Sequence, residues 1–99
     1  MSVNVNSTEQ FDLMTREEQA QLVEWCKGLE KSKTFNKYYT SYGLKHVCQY
    51  NGGFYVTNGA FKKAMQLAGF NHKECESRIN WRFNVSQKSI KAAQVRKGA

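Results

Sequence analysis

Few residues in this 99-residue chain are of a type that could carry chemistry. His46, Cys48, His72 and Cys75 have the right types and number for a closed tetrahedral zinc site. Their spacing opposes it: His46 and Cys48 lie two apart on a predicted helix and point about 200° from each other at 3.6 residues per turn. Cys75 stands between Glu74 and Glu76, which disfavour a thiolate, the reverse of an activated nucleophile. These are the only acids beyond residue 30, and no Gly-rich phosphate loop, HExxH or G-x-S-x-G is present. The pattern predicts a binding protein, with no enzymatic activity, metal or cofactor.

Charge carries more information, because it is unevenly spread. Residues 1–30 hold six acids against two bases, while residues 31–99 hold thirteen bases against Glu74 and Glu76, for a net charge of +7. From Lys31 to Lys73 there is no acid. A polyanionic partner is the direct physical reading, since each phosphate contact by Lys or Arg releases condensed counterions. The expected contacts are Lys62, Lys63, Arg78, Arg82 and Lys88, with Asn58 on the same helix as the two lysines. That helix, predicted over Asn58–Ala68, would seat Phe61 and Met65 inward and turn Asn58, Lys62, Lys63 and Gln66 outward, as the second arm of a helix-turn-helix-like pair. Its start, beside Gly59, could also hold a phosphate on free N–H groups. The five tyrosines 38, 39, 42, 50 and 55, interleaved with lysines, resemble a stacking platform for single strands, although half-buried core walls are the expected role.

A rival partner follows from the same charge map. The acids Glu17, Glu18 and Glu24 would face a basic groove if the chain were an inhibitor directed at a host nucleic-acid-binding protein, with opposite charges on two faces giving orientation.

These residues need a scaffold. Thr15-Arg-Glu-Glu18 is a capping-box pattern, and Leu22, Trp25, Cys26 and Leu29 make one apolar stripe, predicting a helix over Thr15–Glu30. A second helix, Ser41–Tyr50, carries Leu44, Val47 and Cys48 and stops at Asn51-Gly52-Gly53. Phe54-Tyr55-Val56 reads as a small strand, Asn71 to Arg78 as a polar loop, and Ile79–Val85 as a strand whose alternate residues Ile79, Trp81, Phe83 and Val85 share a buried face. Trp25, Leu44, Phe61, Met65, Trp81 and Phe83 are the predicted core. The fold class is a small α+β domain of three to four helices with a short two-stranded element: a flexible leader over 1–10, one domain over 11–90 and a basic tail over 91–99 that a short helix could begin. The chain has no apolar run of the roughly 20 residues a membrane span needs, no secretory signal pattern, and an odd number of cysteines that suits a reducing cytoplasm.

The stretch Tyr39-Thr-Ser-Tyr-Gly-Leu-Lys-His46, with Gly53-Phe-Tyr-Val-Thr-Asn-Gly-Ala-Phe-Lys-Lys-Ala-Met65, Ala68-Gly-Phe70 and Trp81-Arg-Phe-Asn-Val-Ser86, resembles small accessory proteins of bacteriophages, prophages and plasmids. It covers about residues 39–86 and leaves the acidic first helix outside. The resemblance implies a mobile-element accessory protein and transfers no catalytic residue. Proteins of that kind are often binders of host machinery, anti-CRISPR and other anti-defence inhibitors among them.

Overall fold

In the computed structural model, which describes residues 4–96 and side chains through Gln94, the order of elements is a 3-10 helix (Thr8–Leu13), α1 (Arg16–Lys27), α2 (Ser41–Gly52), α3 (Asn58–Leu67), β1 (His72–Glu74), β2 (Trp81–Phe83) and α4 (Gln87–Arg96). The class is α+β, with one antiparallel two-stranded sheet. No helix among the described residues is long and apolar enough to cross a membrane.

Local chemistry sets most helix boundaries. Thr15 Oγ1 accepts the Glu18 N–H at 3.1 Å while Glu18 Oε1 accepts the Thr15 N–H at 2.8 Å, the reciprocal capping box read from the sequence. Thr57 Oγ1 caps α3 by accepting the Ala60 N–H at 3.2 Å. Gly53 (φ 79°) and Gly69 (φ 95°) adopt the left-handed conformation just past α2 and α3, where a side chain would be strained.

α1 ends at Lys27 and does not reach Glu30, because the following backbone is used elsewhere. Glu30 C=O accepts the Ser86 N–H at 2.8 Å, Lys31 bridges Val85, Ser32 N–H donates to Asn84 O at 2.8 Å and Asn36 N–H to Phe83 O at 2.8 Å. The connector between α1 and α2 thus runs along the free edge of β2 and its extension.

α3 lies at the centre and packs against the 3-10 helix, α1 and α2, while α2 also meets α4 and β2. Leu44, Phe61, Met65 and Phe83 are fully buried, as their periodicity predicts. Trp25 and Trp81 only partly enter the core, and Ile79 is 48% exposed. β2 therefore stops short of the predicted Ile79–Val85, because only residues 81–83 have a partner strand. That partner is β1, in the segment read as a polar loop, while among the described residues 54–56 pair with no strand. Residues 91–96 extend α4 where a basic tail was expected, with Ile90 and Ala93 buried; residues 97–99 lie outside the described part.

The described part of the expected leader, residues 4–10, is bonded to α3. Val5 O accepts the Gly59 N–H at 2.9 Å, and Asn6 Oδ1 accepts from Asn58 Nδ2 at 3.0 Å. A Cβ on Gly59 would collide with the Ser7 backbone. Gly59→Ala should therefore cost about 1–3 kcal/mol, the range for overpacking, in urea unfolding. Deleting residues 1–7 should remove most of that increment; an unchanged penalty would mean that the clash does not cause it.

Candidate nucleic-acid interface

The register of the hairpin sorts its side chains by face. His72 pairs with Phe83, Lys73 with Arg82 and Glu74 with Trp81, so the period-2 alternation puts His72, Glu74, Trp81 and Phe83 on the coreward face and Lys73 and Arg82 on the other. On the coreward side the His72 and Trp81 rings stack at 3.8 Å and 14°. Lys62 Nζ sits 4.8 Å from the Trp81 ring centroid and donates to Ile79 O at 2.9 Å.

This geometry corrects two expected contacts. Lys62 is buried beneath Trp81 and does not project to solvent. Asn58 is buried as well; its Nδ2 donates to Asn6 Oδ1 and to Asn80 Oδ1, each at 3.0 Å. Seven of the ten α3 residues are buried, so α3 cannot enter a groove as a recognition helix. Its amphipathic face is wider than the Phe61–Met65 stripe suggested, because the 3-10 helix covers a flank that sequence periodicity cannot reveal. The phosphate cradle expected at its start is filled internally: Gly59 N–H serves Val5 O, Ala60 N–H serves Thr57 Oγ1 and Phe61 N–H serves Thr57 O. Lys63 is half-buried, Lys88 is exposed on the first turn of α4, and Arg78 is exposed in the hairpin loop with φ 61°.

The outer hairpin face collects what remains. Arg82 Nη1 donates to Asn36 O at 3.1 Å, and Lys73 Nζ lies 5.0 Å from the Phe35 ring centroid. Asn36 fixes this segment: buried, it donates through Nδ2 to Val85 O at 3.1 Å and Gln87 Oε1 at 3.0 Å, while Oδ1 accepts the Tyr38 and Tyr39 N–H groups. Lys37, over the exposed Tyr38 ring at 5.7 Å, continues the basic run. Lys73 was missed as a contact because a three-residue strand, His-Lys-Glu, is too short to show alternation.

Tyrosines provide a second correction. Only Tyr39 is partly buried, its hydroxyl accepting from Gln94 Nε2 at 3.4 Å. Tyr38, Tyr42, Tyr50 and Tyr55 are 53–73% exposed.

Among the described residues no three His, Cys, Asp or Glu side chains converge as metal ligands. His46 packs edge-on against Tyr42 at 4.5 Å. Burial drives the Cys26 thiol well above its usual range, with Cys48 adding to the effect, and pushes Cys48 up to about 12; both are inert apolar fillers at neutral pH. On the acidic side Glu17 and Glu24 are exposed on α1, whereas Glu18 is committed to the capping box. Glu24 rims an open recess of about 640 Å³ with Trp25 and Phe54.

Compared with protein-family models, curated proteins and solved structures, the chain matches none.

Desolvation lowers Lys62 from the usual 10.5, with Glu74 partly opposing it, and lowers Lys45 by the same cause. The folded state therefore loses these protons at lower pH than the unfolded chain does. The cost of burying the charge is fully present below the folded value and fades as pH rises toward 10.5. Urea unfolding at pH 7 and pH 10 should show the native chain gaining stability relative to Lys62→Met over that interval; a pH-independent difference would rule out this account of Lys62.

Proposed function

We propose that the protein binds nucleic acid, mainly through phosphate contacts, with the outer hairpin face as the centre of the interface. The observation that carries this reading is the Lys73–Arg82 pair. Two cations directly opposite on antiparallel strands repel each other, and a bridging anion reverses the sign of that energy. Arg82 spends one N–H on Asn36 O, which orients its guanidinium and leaves further donors for a phosphate oxygen. Arg78 in the adjoining loop and Lys37 on the connector supply further cations, and Lys63 on α3 and Lys88 on α4 are the remaining candidate contacts. The role fits an accessory protein of a phage or plasmid acting in a host cytoplasm, where its three free cysteines stay reduced.

A second reading has its own support. Exposed Glu17, together with Glu24 beside the apolar recess at Trp25 and Phe54, offers an acidic rim and an aromatic floor, suited to a basic partner protein of the anti-defence target class.

Charge changes separate the two. Lys73→Gln with Arg82→Gln should weaken DNA binding at low salt and lower the slope of log K against log salt by about 2, one unit per lost phosphate contact. Lys27→Gln with Lys91→Gln, equal in net charge, should do much less. Under the inhibitor reading only Glu17→Lys with Glu24→Lys disrupts recovery of a host protein, and nuclease leaves that recovery intact. DNA titration at two ionic strengths decides first, and failure to bind at low salt ends the nucleic-acid reading.

A further inference from the structure

Lys45 is buried to 7% exposure on α2, a helix whose outer surface otherwise faces solvent. Its Nζ lies 5.4 Å from the ring centroids of both Tyr42 and Tyr55, and it donates to Gln49 Oε1 at 3.1 Å. Gln49 Oε1 also accepts the Val56 N–H at 3.2 Å, tying the backbone next to Tyr55 to the same helix. The cation thus holds two tyrosine rings, one from α2 and one from the link to α3, and each remains largely exposed at 53% and 73%. His46 braces Tyr42 from its other neighbour position, edge-on at 4.5 Å. Rings ordered in advance lose little entropy when something stacks on them.

A core role does not explain this arrangement, since a tyrosine packing the core would not leave most of its surface in water. The chemistry of the surroundings selects the occupant. Lys45 makes the platform positive at the two rings. The acid that shares a recess with Tyr55 is Glu18, whose Oε1 is engaged by the Thr15 N–H. Along the chain the exposed Tyr38 lies between Lys37 and Tyr42, which is five residues after Lys37. That connection spans at most about 18 Å of chain, so a few nucleotides could reach from one region to the other. Duplex DNA offers phosphates but keeps its bases stacked on each other, whereas a single strand offers phosphates and free π-faces.

We propose, resting on the nucleic-acid reading above, that the preferred ligand is single-stranded, with bases stacking on Tyr42 and Tyr55 around Lys45 while the phosphates meet Lys73, Arg82 and Lys37. Lys45 is a positioning residue here: it orients the rings and adds positive charge beneath them.

The test uses the full chain and fluorescein-labelled 12-nucleotide oligo-dT, with a mixed-sequence 12-mer duplex, in anisotropy titrations at low salt. The native protein should bind the single strand at least about tenfold tighter than the duplex, within the range for base–aromatic stacking. Tyr42→Ala and Tyr55→Ala should each reduce single-strand affinity about tenfold and leave duplex affinity unchanged. Tyr42→Phe and Tyr55→Phe, which keep the ring, should retain it; loss with Phe as well as Ala would overturn stacking in favour of a hydroxyl contact. Equal affinity for both ligands, unaltered by the Ala variants, would overturn this inference and leave phosphate binding in place. Binding to neither would overturn both. Circular dichroism melting of each variant separates lost stacking from lost folding.

Discussion

Strands of three residues cannot stand alone in water, so everything proposed for the hairpin depends on the side-chain bonds that pin it to the helices. Lys62 Nζ donates to Ile79 O, Asn58 Nδ2 to Asn80 Oδ1, and Trp81 N–H to Ser41 Oγ at 3.1 Å. On the other side, the connector bonds of Ser32 and Asn36 hold residues 83 and 84. Together they fix the register. A one-residue slip of β2 would turn Arg82 toward the core and expose Phe83, which makes the buried lysine on α3 one condition for a cationic surface on the far side of the sheet.

This dependence also explains how much could be read in advance. Signals confined to four or five neighbouring residues were legible: the capping box at Thr15 and the stop of α2 at Asn51-Gly52-Gly53. So was the α+β class, since the helical stripes and the Trp81–Phe83 alternation each declare their own period. The orientations of Lys62 and Asn58 were not legible, because they depend on the hairpin and on the segment leading into the 3-10 helix, whose Asn80 and Asn6 lie 22 and 52 residues from Asn58. Charge on a helical residue is ordinarily a sign of solvent; here the carbonyl of Ile79 and the face of Trp81 offset only part of the loss of water, which is why the Lys62 pKa is lowered. The exposure of the tyrosines escaped for the same reason, since it follows from packing partners rather than from local pattern.

Among the described residues two lysines, Lys45 and Lys62, have buried side chains. Their burial has different consequences. Lys62 meets a backbone carbonyl and a half-buried indole, and its contacts join α3 to β2. Lys45 meets rings that stay open to solvent, and its contacts organise a surface. Formal charge counted from sequence therefore measures neither the number of phosphates the protein could contact nor where they would lie; the register at Lys73 and Arg82 is the better guide.

The same pair links binding to stability. In the free protein the Lys73–Arg82 repulsion weighs against the hairpin, and dissolved salt screens it. Salt should therefore favour the folded hairpin while weakening phosphate contacts, because counterion release yields less when the bulk is already concentrated. A site built only for stability would have placed an acid opposite one of these cations, as a cross-strand pair of opposite charge contributes up to about 1 kcal/mol. Glu74 and Glu76 are close in sequence, yet Glu74 falls one position out of phase, on the face that opposes Lys62. The strand alternation thus gives the available carboxylate to the buried lysine and leaves the outer pair of cations for a ligand to neutralise.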